Sequence, residues 1–164
     1  MRILGIDPGL ATVGYAVVEE RRGQLALIEY GCIKTSPTQA MPELLAIIYK
    51  AMNEIIDEFE PNEMAIEELF FAKNVTNGIQ VGQARGVEIL AAQMKNVRVY
   101  EYTPMQVKLA VTGYGRADKY QMQENIRLLF KLQHPPKPDD AADAIGIAFT
   151  HAMSARTKEE YFMK

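Results

Sequence analysis

Residues 2–19 read RILGIDPGLATVGYAVVE. Leu4 and Ile6 belong to an apolar run that ends on a carboxylate, Asp7, followed at once by Pro8 and Gly9. The run 2–7 is predicted as a strand and the alternating, β-branched run 12–19 as a second one. Residues 21–24, RRGQ, supply a turn, and 25–35, LALIEYGCIKT, a third strand. Connections this short make three antiparallel neighbours. The first strand therefore delivers an acid to its own end and turns sharply.

Working outward, the hydrophobic period changes after SPTQ at 36–39. Leu44, Leu45, Ile48, Met52, Ile55, Ile56 and Phe59 recur at helical spacing, with Pro42 placed for the first turn and Pro61 closing the segment. Residues 63–71, EMAIEELFF, are predicted as a fourth strand carrying acids near its end. A second helix is predicted over 75–95, with Val81, Ala84, Val87, Leu90 and Met94 on one side. Residues 97–103 read as a fifth strand. Thr103 then Pro104 make a helix start, and Asp118 caps a further helix ending near Leu132. HPPKP at 134–138 is a rigid break before a last helix from about Asp139. The order is β-β-β-α-β-α-β-α-α-α. This predicts an α/β fold: a five-stranded mixed sheet, three antiparallel then two parallel strands, with helices on both faces.

The 164 residues suit one domain, expected over 1–156 with a charged tail at 157–164. No apolar window approaches the roughly 18 residues of a transmembrane helix. Asp7 arrives too early for a signal peptide. A single cysteine, Cys32, excludes an internal disulfide and suits a reducing cytoplasm. The net charge is −3, but residues 70–137 hold ten Lys/Arg against four Asp/Glu. That asymmetry permits a basic face for a polyanion on an acidic protein.

Four acids sit in apolar surroundings: Asp7, Glu67 within AIEELFF, and Asp140 and Asp143 within DDAADAIGIAF. The last two lie three residues apart, on one side of a helix that continues to Ile147. Each acid has a structural role open to it as well, Asp7 in shaping its turn and Asp139 or Asp140 in capping the helix. Together, without assigned basic partners, they would cost several kcal/mol each if buried unpaired. Divalent cations among them would remove that repulsion. Oxygen ligands and sparse histidine point to Mg²⁺ or Mn²⁺ rather than zinc. If the first and fourth strands are neighbours, Asp7 and Glu67 come close enough to share an ion. Two such ions make a clamp for in-line displacement at a phosphodiester.

The segments ILGIDPGLATVGYAV, AIEELFFAKNVTNGIQVGQARG, TPMQVKLAVTGYGRADKYQM and DDAADAIGIAFTH, in this order, resemble the RuvC family of Holliday junction resolvases, which have a ribonuclease H-like fold. Asp7, Glu67, Asp140 and Asp143 fall on that family's metal-binding acids. Glu68 stands where relatives often carry Gln and is left out of the set. The resemblance implies an endonuclease using two Mg²⁺ ions, with Mn²⁺ substituting. It implies a homodimer through the helix near 75–95, acting on four-way junction DNA with a branch-migration motor, RuvA and RuvB. By the same resemblance Phe70 stacks on a base at the crossover, and Lys108 and Lys119 contact the DNA backbone. Gly113 and Gly115 let backbone approach a phosphate, and Arg116 adds charge beside Lys119.

Two other classes remain to be set against this reading. Sugar kinases and actin-like ATPases also open with a strand, an Asp and a glycine turn, but need two such domains. A non-catalytic junction-binding scaffold would gain nothing from crowding four acids.

Overall fold

The structure, a computed structural model, describes residues 1–36, 38–69, 75–154 and 157–164. Its strands are β1 (Arg2–Asp7), β2 (Thr12–Arg21), β3 (Gln24–Lys34), β4 (Glu63–Glu67) and β5 (Arg98–Tyr102). Its helices are α1 (Met41–Phe59), α2 (Val75–Met94), α3 (Pro104–Thr112), α4 (Lys119–Leu129) and α5 (Asp139–Met153). The sheet order is β3-β2-β1-β4-β5. β1–β2 and β2–β3 pair antiparallel, and β1–β4 and β4–β5 pair parallel, as expected from the hairpins and the helical crossovers. β1 is thus central.

Side-chain alternation divides the sheet into two faces. Leu4 and Ile6 of β1, Val13 and Val17 of β2 and Met64 and Ile66 of β4 pack with α1 and α2. Ala16 and Ala65 lie on the other face, in a core shared with α3, α4 and α5. Gly5 and Asp7 alternate onto that second face. α5 lies against β1 and β2 more closely than ordinary side chains allow. A Cβ on Gly5 would collide with the Ala144 carbonyl, and one on Gly14 with the Asp140 carbonyl.

Local signals explain the helix starts. Thr103 accepts from the Gln106 amide while the Gln106 side chain accepts from the Thr103 amide, with Pro104 in the first turn. Asp118 and Gln121 repeat the arrangement at α4. At the chain's end, residues 158–161 form a short 3-10 turn. Met163 then donates its amide to the Val99 carbonyl, and Phe162 bridges Tyr100 on the outer edge of β5.

Three boundaries or faces differ from expectation. The strand expected over 63–71 stops at Glu67, where the Glu68 amide donates to the Tyr102 carbonyl. α4 stops at Leu129 rather than near Leu132, because Lys131 takes a left-handed backbone with φ 54°. The expected apolar side of α2 is split. Ala84 is buried, but Leu90 and Met94 are exposed, and the buried stripe runs instead through Ala84, Glu88, Ala91 and Ala92. A helix can carry two apolar faces, and periodicity alone does not say which one meets the sheet.

Candidate active site

The parallel register pairs Gly5 with Ala65 and Ile6 with Ile66. One step further sets Asp7 beside Glu67 at the carboxyl ends of neighbouring strands, which lie about 4.8 Å apart. α5 begins over the same place and brings Asp140 and Asp143. The acids feel one another. Burial pushes the Asp7 carboxyl up to about 8, and Glu67, Asp143 and Asp140 push it further in the same direction. Burial and then Asp143 raise Glu67 to about 7, against the pull of Lys108. Burial raises Asp143 to about 6, opposed by Lys119 and Lys108 and reinforced by Asp139 and Asp140.

Crowded carboxylates held off their ordinary range are a signature of sites that await a positive ligand. Among the described residues no three His, Cys, Asp or Glu side chains close around a single point as a finished cage. The donor set nevertheless fits a hard divalent cation: all oxygen, on rigid strand ends and the first turns of one helix, with water access.

A cleft of about 440 Å³ opens from Glu67 and Asp143 and is lined by Pro104, Val107, Lys108, Ala117, Asp118, Lys119 and Met122. Lys108 and Lys119 therefore flank two of the acids. Lys119 also bonds Asp139 at 3.2 Å, and Gln123 donates to the other Asp139 oxygen at 2.7 Å. That pair ties the start of α4 to the start of α5. Arg116 does not line this cleft; it lies in the groove alongside. Phe70 lies outside the described residues.

Sequence reasoning passed over Arg85. Its Nε donates to the Glu67 carbonyl at 3.1 Å and its Nη2 to Glu101 at 2.8 Å, so it braces the end of β4 from beneath. Nearby Glu88 is fully buried, and neither of its oxygens has a hydrogen-bond partner among the described residues. Burial raises Glu88 to about 8, opposed by Arg85. A signal existed: Arg85 and Glu88 are the two charged residues of α2, three positions apart.

The comparisons with known proteins agree with this geometry. Residues 3–151 match the family model described as crossover junction endodeoxyribonuclease RuvC. The chain belongs to the RuvC family. A curated RuvC from Finegoldia magna is 54% identical over 158 residues, covering 96% of each chain. One from Alkaliphilus metalliredigens is 48% identical over the full length of both. Among solved structures, Thermus thermophilus RuvC in complex with a Holliday junction substrate is 37% identical, covers 95% of each chain and has a TM-score of 0.90. The yeast mitochondrial Holliday junction resolvase Ydc2, at 14% identity and a TM-score of 0.73, shares the fold over 98% of this chain and 81% of its own. The five-stranded mixed sheet with helices on both faces is thus that of the RuvC resolvases. The protein is an endodeoxyribonuclease of a metal-dependent family. Among the described residues no helix is long and apolar enough to cross a membrane.

Proposed function

We propose that this protein resolves four-way DNA junctions by symmetric hydrolysis of two strands of like polarity. The observation that carries the reading is a cleft that holds Glu67 and Asp143 between Lys108 and Lys119, with Asp7 beside Glu67 at the tip of the neighbouring strand. Each cut breaks one P–O3′ bond: water adds to phosphorus, and the 3′ oxygen leaves and takes up a proton. The products are a 5′-phosphate and a 3′-hydroxyl. Two Mg²⁺ ions, held by Asp7, Glu67, Asp140 and Asp143, would supply a bound water of lowered pKa and offset charge on the phosphate. Asp7 would contribute to that set from the central strand, between β2 and β4. Lys108 and Lys119 hold the scissile phosphate as point charges with no base preference. Arg85 fixes the backbone of Glu67, so that this carboxylate does not drift with its strand end.

A junction offers two equivalent strands, which suits a two-fold dimer. Ile79, Leu90 and Met94 are 59%, 50% and 64% exposed along one stripe of α2, and nothing stands within 4 Å of a Cβ built on Gly86 between them. That stripe supports pairing of two copies through α2. RuvA and RuvB are the expected partners on the same junction, and the cytoplasm the expected compartment. The deciding experiment incubates the protein with a synthetic four-way junction, with and without Mg²⁺, and sizes the products on a denaturing gel. Paired nicks that ligase can seal are expected. Intact strands in Mg²⁺ and in Mn²⁺ would favour a non-catalytic binder.

A further inference from the structure

Beside the catalytic cleft lies a second groove of about 400 Å³, lined by Met105, Gln106, Leu109, Tyr114, Gly115 and Arg116. Its walls alternate in sequence with those of the cleft. On α3, Pro104, Val107 and Lys108 face the cleft, while Met105, Gln106 and Leu109 face the groove. In the following loop, Ala117, Asp118 and Lys119 belong to the cleft and Tyr114, Gly115 and Arg116 to the groove. A strand leaving the cleft over Lys108 meets the groove at once.

The groove is apolar where ordinary surface is not. Met105, Leu109 and Tyr114 are 65%, 56% and 57% exposed. Its rim carries a guanidinium, Arg116, and none of its lining residues is a carboxylate. The nearby Asp118 side chain is committed to the Gln121 amide.

The loop that presents Tyr114 is built rather than loose. The Thr112 hydroxyl lies 2.8 Å from the Lys108 carbonyl and 3.0 Å from the Tyr114 carbonyl, and accepts from the Tyr114 amide. Gly113 turns the chain with φ 74°, and Gly115 sits so close that a Cβ would stand 3.0 Å from Met105 Cγ. An apolar slot with an aromatic wall, a soft thioether and a cationic rim matches a planar ring tethered to a phosphate.

We propose that this groove is a nucleobase site. One unpaired base of the crossover strand lies against the Tyr114 ring, Met105 and Leu109, with its phosphate on Arg116. The site rests on the junction-cleavage reading and extends it. It gives the strand a second anchor next to the cut, and stacking there is tolerant of sequence because every base has a π-face.

The test uses a four-way junction carrying 2-aminopurine at each nucleotide flanking the crossover, with Ca²⁺ in place of Mg²⁺. Binding of the parent should change the fluorescence at one position. Tyr114→Ala should abolish that change and weaken junction binding about fivefold or more, whereas Tyr114→Phe should retain both. An abasic site at the responsive position should weaken the parent and leave Tyr114→Ala unaffected. Arg116→Gln should lower the salt slope of binding by about 0.9. A thermal melt checks that each variant folds.

A parent that binds and cuts junctions, with Tyr114→Ala indistinguishable from it at every position, overturns the base site while leaving the cleavage reading intact. A parent that binds no junction sinks both. Tyr114→Ala that handles DNA normally but loses a protein partner assigns the groove to that partner and also overturns the proposal.

Discussion

β4 and α5 carry acid chemistry at both of their ends, and the two ends are treated in opposite ways. At the start of β4, buried Glu63 meets His151 Nε2 at 2.8 Å, from the last turn of α5, and Arg98 at 2.8 Å. His151 Nδ1 in turn lies 2.7 Å from the Tyr102 hydroxyl. Four residues on, along the same face, Glu67 meets Asp7 and Asp143 instead, with two lysines at a distance. One end is a closed network that holds strand and helix together. The other is a set of acids that the fold holds near enough to push one another's carboxyls up. The difference teaches how to separate a structural acid from a working one: by what neutralises it. Glu88 is a third case, a buried acid with no hydrogen-bond partner among the described residues, whose charge also pushes Asp7 up.

The contrast can be broken most directly at Asp7. Asp7→Asn should abolish cleavage while junction binding persists, measured by gel shift and denaturing gel on the same samples. Near-parent cutting in Mg²⁺ would dissolve the distinction between the two ends. At the closed end, His151→Leu should lower stability by about 1–3 kcal/mol in chemical denaturation, because it removes one hydrogen bond from buried Glu63, which keeps Arg98, and one from Tyr102. The folded fraction should still cut. A change below about 0.5 kcal/mol would mean the network holds nothing.

The open end also has a pH signature. Asp7, Glu67 and Asp143 stand at about 8, 7 and 6 in the folded state, all raised. Raised carboxyls favour folding while protonated. Their contribution is full below about pH 4 and is lost as pH rises through 6 to 8. In EDTA the melting temperature should therefore fall over that window. Mg²⁺ or Mn²⁺ should restore it at pH 8, and Asp7→Asn should flatten the fall. A metal-free melting temperature constant from pH 5 to 8 would contradict the crowding. The smallest expected effect is at the cleft wall. Lys119→Ala should lower the salt slope of junction binding by about 0.9, the share of one phosphate contact. An unchanged slope would remove Lys119 from the DNA.

Much of this was legible in the chain. Asp7 at the end of an apolar run, followed by Pro8-Gly9, announced both a strand and its unusual tip. Thr103 with Pro104, and Asp118, announced two helix starts that the structure closes with full capping boxes. What stayed hidden depends on contacts between distant segments. Nothing local in Glu63 or His151 says that they meet 88 residues apart. Leu90 and Met94 look like core by spacing, and only the packing of Ala84, Ala91 and Ala92 shows which side of α2 faces inward. Arg85 stands out as a charge on α2, but its two partners, the Glu67 carbonyl and Glu101, lie 18 and 16 residues away and are fixed only by the fold.

Gly14 sits on β2 directly opposite Asp7, and the first turn of α5 rests on its bare backbone, at the Asp140 carbonyl. The gap between the Asp140–Asp143 pair and the strand tips is therefore governed by a hydrogen atom where any other residue would carry a methyl or more. Enlarging that position would lift the helix end, and with it Asp140 and Asp143, without altering a charged side chain. The spacing of these acids is set by sterics on a neighbouring strand, which makes a silent-looking glycine a spacer of the proposed site.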